Sequence, residues 1–78
     1  MKMINHSYLK RRAMKAWFDE FPNSPVIFRV IGHYYFVYRV LWSEEDPLVD
    51  RAALIEMELL LNKKMGTETE YLSRRRMV

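Results

Sequence analysis

Residues 26–42, VIFRVIGHYYFVYRVLW, constrain the fold more than any other part of the chain. β-Branched and aromatic side chains lose rotamer freedom in a helix and fit a pleated surface, so this run predicts strand. It breaks once, at Gly32-His33, where glycine supplies the positive φ that opens a two-residue hairpin turn. The expected hairpin has strands at 26–31 and 34–42 and pairs Ile31 with Tyr34, Arg29 with Phe36 and Ile27 with Tyr38. One face then carries Ile27, Arg29, Ile31, Tyr34, Phe36, Tyr38, Val40 and Trp42. The other carries Val26, Phe28, Val30, Tyr35, Val37, Arg39 and Leu41. Both faces are rich in apolar side chains, and a lone hairpin is unstable in water, so each face needs a cover.

Helices are expected on both sides of the hairpin. Residues 7–21 put Leu9, Ala13, Ala16, Trp17 and Phe21 at helical spacing behind a Ser7 N-cap, with Lys10, Arg11, Arg12, Lys15 and Asp19 on the remaining face. Pro22 and Pro25 stop that helix. A second helix is expected over 47–65, capped by Asp46 with Pro47 in its first position. Leu48, Ala52, Ile55 and Leu59 form its seam, Lys63 and Lys64 suit its C-terminal dipole, and Gly66 suits the left-handed residue that follows. Thr67-x-x-Glu70 is a capping box for a short helix or basic tail over 67–78. The expected fold is α+β: helix–β-hairpin–helix with a short C-terminal helix or tail, the hairpin antiparallel, all in one domain spanning 1–78.

Size bears on what covers the second hairpin face. A chain of 78 residues buries only about 60–65% of its unfolded surface, so its core is marginal without reinforcement. With no cysteine, disulfides and thiolate zinc sites are ruled out. A second subunit is the reinforcement left, and a homodimer is expected, against a monomer whose own two helices cover both faces. No apolar run approaches the roughly 18 residues of a membrane span, and no signal-peptide core is present, so a cytoplasmic protein with no membrane partner is expected.

Thirteen basic residues against ten acidic give +3, unevenly placed. Lys2, Lys10, Arg11, Arg12 and Lys15 precede any acid, Glu44, Glu45, Asp46 and Asp50 fall together, and the chain closes on Arg74, Arg75 and Arg76. Clustered cations suit a polyanion, and arginines among aromatic rings suit RNA, whose unpaired bases stack on sheet aromatics. The RNA-contacting set is expected to be Lys10, Arg11, Arg12, Lys15, Arg29, Arg39, Arg74, Arg75 and Arg76 for phosphates. One or more of Tyr34, Tyr35 and Tyr38 are expected to stack on bases. The same clusters also suit a solvated helix face, a structural ion pair or an inert tail. Catalysis is not expected: His6 and His33 are the sole imidazoles, and there is no phosphate-cradling glycine loop. Glu44-Glu45-Asp46 lacks the ligand spacing of a calcium loop, so no metal or cofactor is expected either.

The basic opening HSYLKRRAMKAW and the hairpin VIFRVIGHYYFVYRV resemble, in character, a phage-encoded RNA-binding inhibitor of ToxIN-type toxin–antitoxin systems. The resemblance implies a small anti-defence protein in the host cytoplasm that binds RNA, engages an endoribonuclease toxin and blocks it, with Arg39 and the basic opening as contacts. The alternative is a protein-binding inhibitor whose aromatic hairpin face docks on a host enzyme without nucleic acid. A third reading is a structural protein whose partner is itself.

Overall fold

Alternation, and not a helical stripe, governs the first third of the chain. In the computed structural model, which describes residues 1–76 and the side chains of residues 1–74, four strands precede two helices. They are β1 (Met3–Leu9), β2 (Ala13–Phe18), β3 (Phe21–Ile31) and β4 (Tyr34–Val40), then α1 (Arg51–Met65) and α2 (Glu68–Arg76). The strands form one antiparallel sheet in the order β1-β2-β3-β4. The fold is α+β, but its order is ββββαα, which overturns helix–hairpin–helix.

The helix expected over 7–21 is instead the end of β1, a turn at 10–12 and all of β2. Met14, Ala16 and Phe18 are fully buried while Lys15 and Trp17 between them are half-exposed, the period of two that a strand imposes. The same short run also satisfies helical spacing, and β2 lies between two strands whose pairing decides the matter. Pro22 and Pro25 stop no helix; both lie within β3, and the Pro25 carbonyl accepts from Leu41 N at 2.9 Å.

The Gly32-His33 turn forms as expected, with Gly32 at φ 62° and the pairs Ile31–Tyr34 and Arg29–Phe36 in place. Beyond Val37 a bulge shifts the register, because Phe28 still pairs with Val37 but Ile27 pairs with Arg39. Tyr38 is the extra residue, and every side chain after it changes face. Arg39 therefore stands with Ile27 and Arg29, and Val40 turns toward the core, reversing the faces expected for both.

Helix α1 covers one side of the sheet, and α2 packs against α1 and β4. Met14, Ala16, Phe18, Phe21, Val26 and Phe28 meet Met57 and Leu61 of α1, with Phe18 and Phe28 edge to face at 6.2 Å. Tyr71 of α2 is buried as well. Helix α1 begins four residues later than expected: Asp50 is its N-cap, accepting from Ala53 N at 2.8 Å. Asp46 is buried and accepts instead from Ser24 Oγ at 2.6 Å and Asn23 N at 3.0 Å, fastening the β4–α1 connection to β3. Gly66 does end α1 in the left-handed conformation, at φ 78°. The Thr67 hydroxyl, expected to cap α2, donates to Asn62 Oδ1 at 2.8 Å.

Asn62 decides which edge of the sheet stays free. Its Oδ1 accepts from Tyr35 N and its Nδ2 donates to Tyr35 O, both at 2.8 Å, so one buried side-chain amide stands in for a neighbouring strand along β4. Glu58 continues the cover, taking Val37 N at 2.8 Å on one oxygen and the Tyr71 hydroxyl at 2.7 Å on the other. The β4 edge is closed by α1, and the opposite face of the sheet carries no helix.

Candidate nucleic-acid interface

The uncovered face is built by Lys15 and Trp17 of β2, by Ile27, Arg29 and Ile31 of β3 and by the bulge in β4. Register places Lys15 opposite Ile27, Ala13 opposite Arg29, Arg29 opposite Phe36 and Ile27 opposite Arg39. Trp17 shares this face, and Asn5 and Ser7 of β1 flank it as the partners of Trp17 and Lys15. Three rings and three cations interleave there. The Lys15 ammonium sits 5.3 Å from the Trp17 ring, and the Arg29 guanidinium lies 4.2 Å over the ring of Tyr38, itself 54% exposed. Each such contact contributes about 0.5–1 kcal/mol at an exposed site and leaves the cation's donors free in the plane above the sheet.

Among the described residues, none of the four strands contains an aspartate or glutamate. Eight of the ten acidic residues follow Ser43; the other two, Asp19 and Glu20, occupy the β2–β3 turn. Both of those are engaged: Asp19 Oδ1 accepts from Lys2 N at 2.8 Å, and Glu20 pairs with the Met1 ammonium at 3.2 Å. A hydrogen bond from the Met1 ammonium to Glu20, and a second to Glu56, hold its pKa above the ordinary value. In a meander, the 19–20 turn lies at the end of the sheet away from the 10–12 and 32–33 turns. Positive potential therefore builds over the open face and toward the 10–12 turn without a carboxylate to offset it.

Lys10, Arg11 and Arg12 form that turn, all exposed. Arg11 and Arg12 both have positive φ, 63° and 61°, where a Cβ crowds the following carbonyl and Asn or Gly is favoured. Each residue so held costs about 1–2 kcal/mol. Two arginines in place of Asn-Gly mark a turn shaped for its side chains at the expense of its backbone. Replacing Arg11 with Asn and Arg12 with Gly should raise stability by about 1–2 kcal/mol, read as a higher urea midpoint at unchanged slope. A lower midpoint would show that the contact of Arg12 Nη2 with Gly32 O at 3.5 Å outweighs the strain.

The structure gathers Lys15, Arg29, Arg39 and Tyr38 on one face, with Lys10 and Arg11 at its end. Three expected contacts lie elsewhere. Tyr35 is on the helix-covered face and packs against the core. Tyr34 meets the ring of Tyr71 at 6.1 Å. Arg74 is exposed on α2, beside the 32–33 turn. The side chains of Arg75 and Arg76 lie outside the described residues. Trp17 and Phe36 belong to the open face although Trp17 reads as core in a helical stripe; the alternation around Lys15 was the signal that places it.

Among the described residues no three histidine, aspartate or glutamate side chains group as a metal site. No helix among them is long and apolar enough to cross a membrane. Residues 2–76 match the family described as "Uncharacterised protein YuzH". The chain belongs to the YuzH family. No curated protein and no solved structure matches it.

Proposed function

We propose that the protein binds single-stranded RNA across the open face of its sheet and catalyses no reaction. The observation that carries this is the interleaving of Lys15, Arg29 and Arg39 with Trp17, Phe36 and Tyr38 on strands that hold no acid. The cations meet phosphates, and the rings stack on splayed bases at about 1–3 kcal/mol per base. Rings exposed on a sheet reach bases that are not already stacked in a duplex, which favours an unpaired strand. Ser7 offers a hydroxyl to a ribose 2′-hydroxyl at the rim. The protein acts in the cytoplasm, where such RNA is available.

Two further parts of the reading have separate supports. The likeness to phage inhibitors of ToxIN-type systems adds an endoribonuclease toxin as the protein partner, which suppression of toxin cleavage in a purified mixture would test. The exposed strand β1, free of charge and proline, supports a homodimer formed by pairing β1 with its copy. Light scattering reads that directly as a doubled molar mass.

The test of the RNA reading is a titration of a labelled single-stranded ten-nucleotide RNA across a salt series. Contact with five or so phosphates gives a slope of log affinity on log salt of about −3.5. Affinity that is absent at low salt ends the reading. Copurified protein held by the same face, with little salt dependence, would assign the rings to a protein interface instead.

A further inference from the structure

A second recess lies at the basic end of the sheet, where the 10–12 and 32–33 turns meet the α1–α2 connection. It is a cleft of about 560 Å³, within the range of small-ligand sites. Tyr8 and Tyr35 give it aromatic walls, and Arg12 and Glu70 give it one cation and one carboxylate. Tyr8 is 72% exposed, its hydroxyl directed to Met65 Sδ at 3.8 Å. Burial raises the pKa of the Tyr35 hydroxyl, with Tyr8 adding and Arg12 opposing, so it stays a protonated donor. Among the described residues no ion pair joins Arg12 to Glu70, although both line the same cleft and both are exposed.

Opposite charges that face one space without meeting suit a ligand with donors on one edge and acceptors on another. Tyr8 and Tyr35 offer ring faces, and a flat ligand uses them best. Of the four RNA bases, guanine alone offers two adjacent donors, N1–H and the N2 amine, to a carboxylate. Its O6 and N7 form the acceptor pair that arginine reads. Adenine, cytosine and uracil each present a single donor to Glu70. A single carboxylate is also too few oxygens for a cation site.

We infer that this cleft is a guanine-binding site, with Glu70 reading the Watson–Crick edge, Arg12 the O6/N7 edge and Tyr8 stacking on the base. The inference deepens the RNA reading of the open face: Lys10 and Arg11 continue the cations of that face around the sheet end to Arg12, so a strand crossing the sheet delivers a base here. Guanine specificity is the added claim, and it does not depend on the open face for its test.

The experiment titrates the intact protein with GMP, AMP, CMP and UMP, following the ring signals of Tyr8 and His33 by NMR. In parallel it measures binding of U8 and of the same octamer with one central guanine. GMP should bind about tenfold more tightly than the other nucleotides. Glu70→Gln, whose amide keeps one acceptor but sets its NH2 against the second guanine donor, should reduce that preference to within twofold. Its affinity for U8 should be unchanged, and a wild-type melting curve verifies the fold. GMP binding no better than AMP, or a preference that survives Glu70→Gln, overturns the inference even if U8 still binds. GMP preference lost in Glu70→Gln with no RNA affinity in either protein would keep the guanine site and end the open-face reading instead.

Discussion

Asn62→Leu should lower the melting temperature by about 12–24 °C and leave the variant prone to aggregate. The substitution keeps the side chain's bulk and removes a set of hydrogen bonds at once. Tyr35 N loses its acceptor, the Thr67 hydroxyl keeps only the carbonyl of residue 62 at 3.3 Å, and the carbonyls of Tyr35 and Glu58 lose a donor. A buried polar group left without a partner costs about 1–3 kcal/mol, less where water reaches it. Part of this set lies at a half-buried edge, so the sum is about 3 kcal/mol. At about 4–8 °C per kcal/mol for a domain of this size, that gives the stated shift. The second consequence is the edge itself: β4 is long and rich in Tyr, Phe and Val, and uncovering it offers a template to another chain. Asn62→Asp separates the parts, since it keeps an acceptor for Tyr35 N, removes the donor and sets a second carboxylate near Glu58. It should fall nearly as far. Hydrogen exchange at the Tyr35 amide is the local check. A wild-type melting curve for Asn62→Leu together with a protected Tyr35 amide would sink the claim that Asn62 closes the edge.

That device was not legible in the sequence, and the reason is physical. An asparagine late in a helix reads as a polar surface residue, and its pairing with a strand 27 positions away leaves no local trace. The hairpin at 26–42 was legible because its signals are local: a β-branched and aromatic run, and a glycine where φ must be positive. Gly66 was legible for the same reason. The bulge at Tyr38 was not, since an inserted residue is chosen by how the sheet coils and not by residue type. The largest error fell on 7–21, where two αL arginines replaced the usual turn residues and hid the boundary between β1 and β2. The basic character of that stretch was still read correctly from composition. What changed was its geometry, from one side of a helix to a turn and a strand face, and only that geometry brings Lys15 to Arg29 and Arg39.

Reversing Arg29 and Arg39 to glutamate should weaken single-stranded RNA binding about 100-fold or more at moderate salt, with the fold intact. Hydrogen bonds to charged groups contribute about 1.5–3 kcal/mol each. Losing two therefore removes at least about 3 kcal/mol, and a factor of ten corresponds to about 1.4 kcal/mol. Both residues are exposed and neither anchors the core, so the melting curve should move little beyond the loss of the Arg29–Tyr38 contact. Net charge alone could weaken any polyanion complex, and a matched control removes that ambiguity. Lys63→Glu with Lys64→Glu alters the last turn of α1 and makes the same change, from +3 to −1 after four units are subtracted. Binding by overall charge predicts equal losses for the two variants. Binding on the open face predicts a large loss for the arginine pair and about a twofold loss for the lysine pair, because screening at about 8–10 Å isolates α1 from a strand held on the far side of the sheet. Equal losses would remove the sheet face as the site, and a residual salt slope in the arginine variant would count the phosphates that Lys15 and the 10–12 turn still hold.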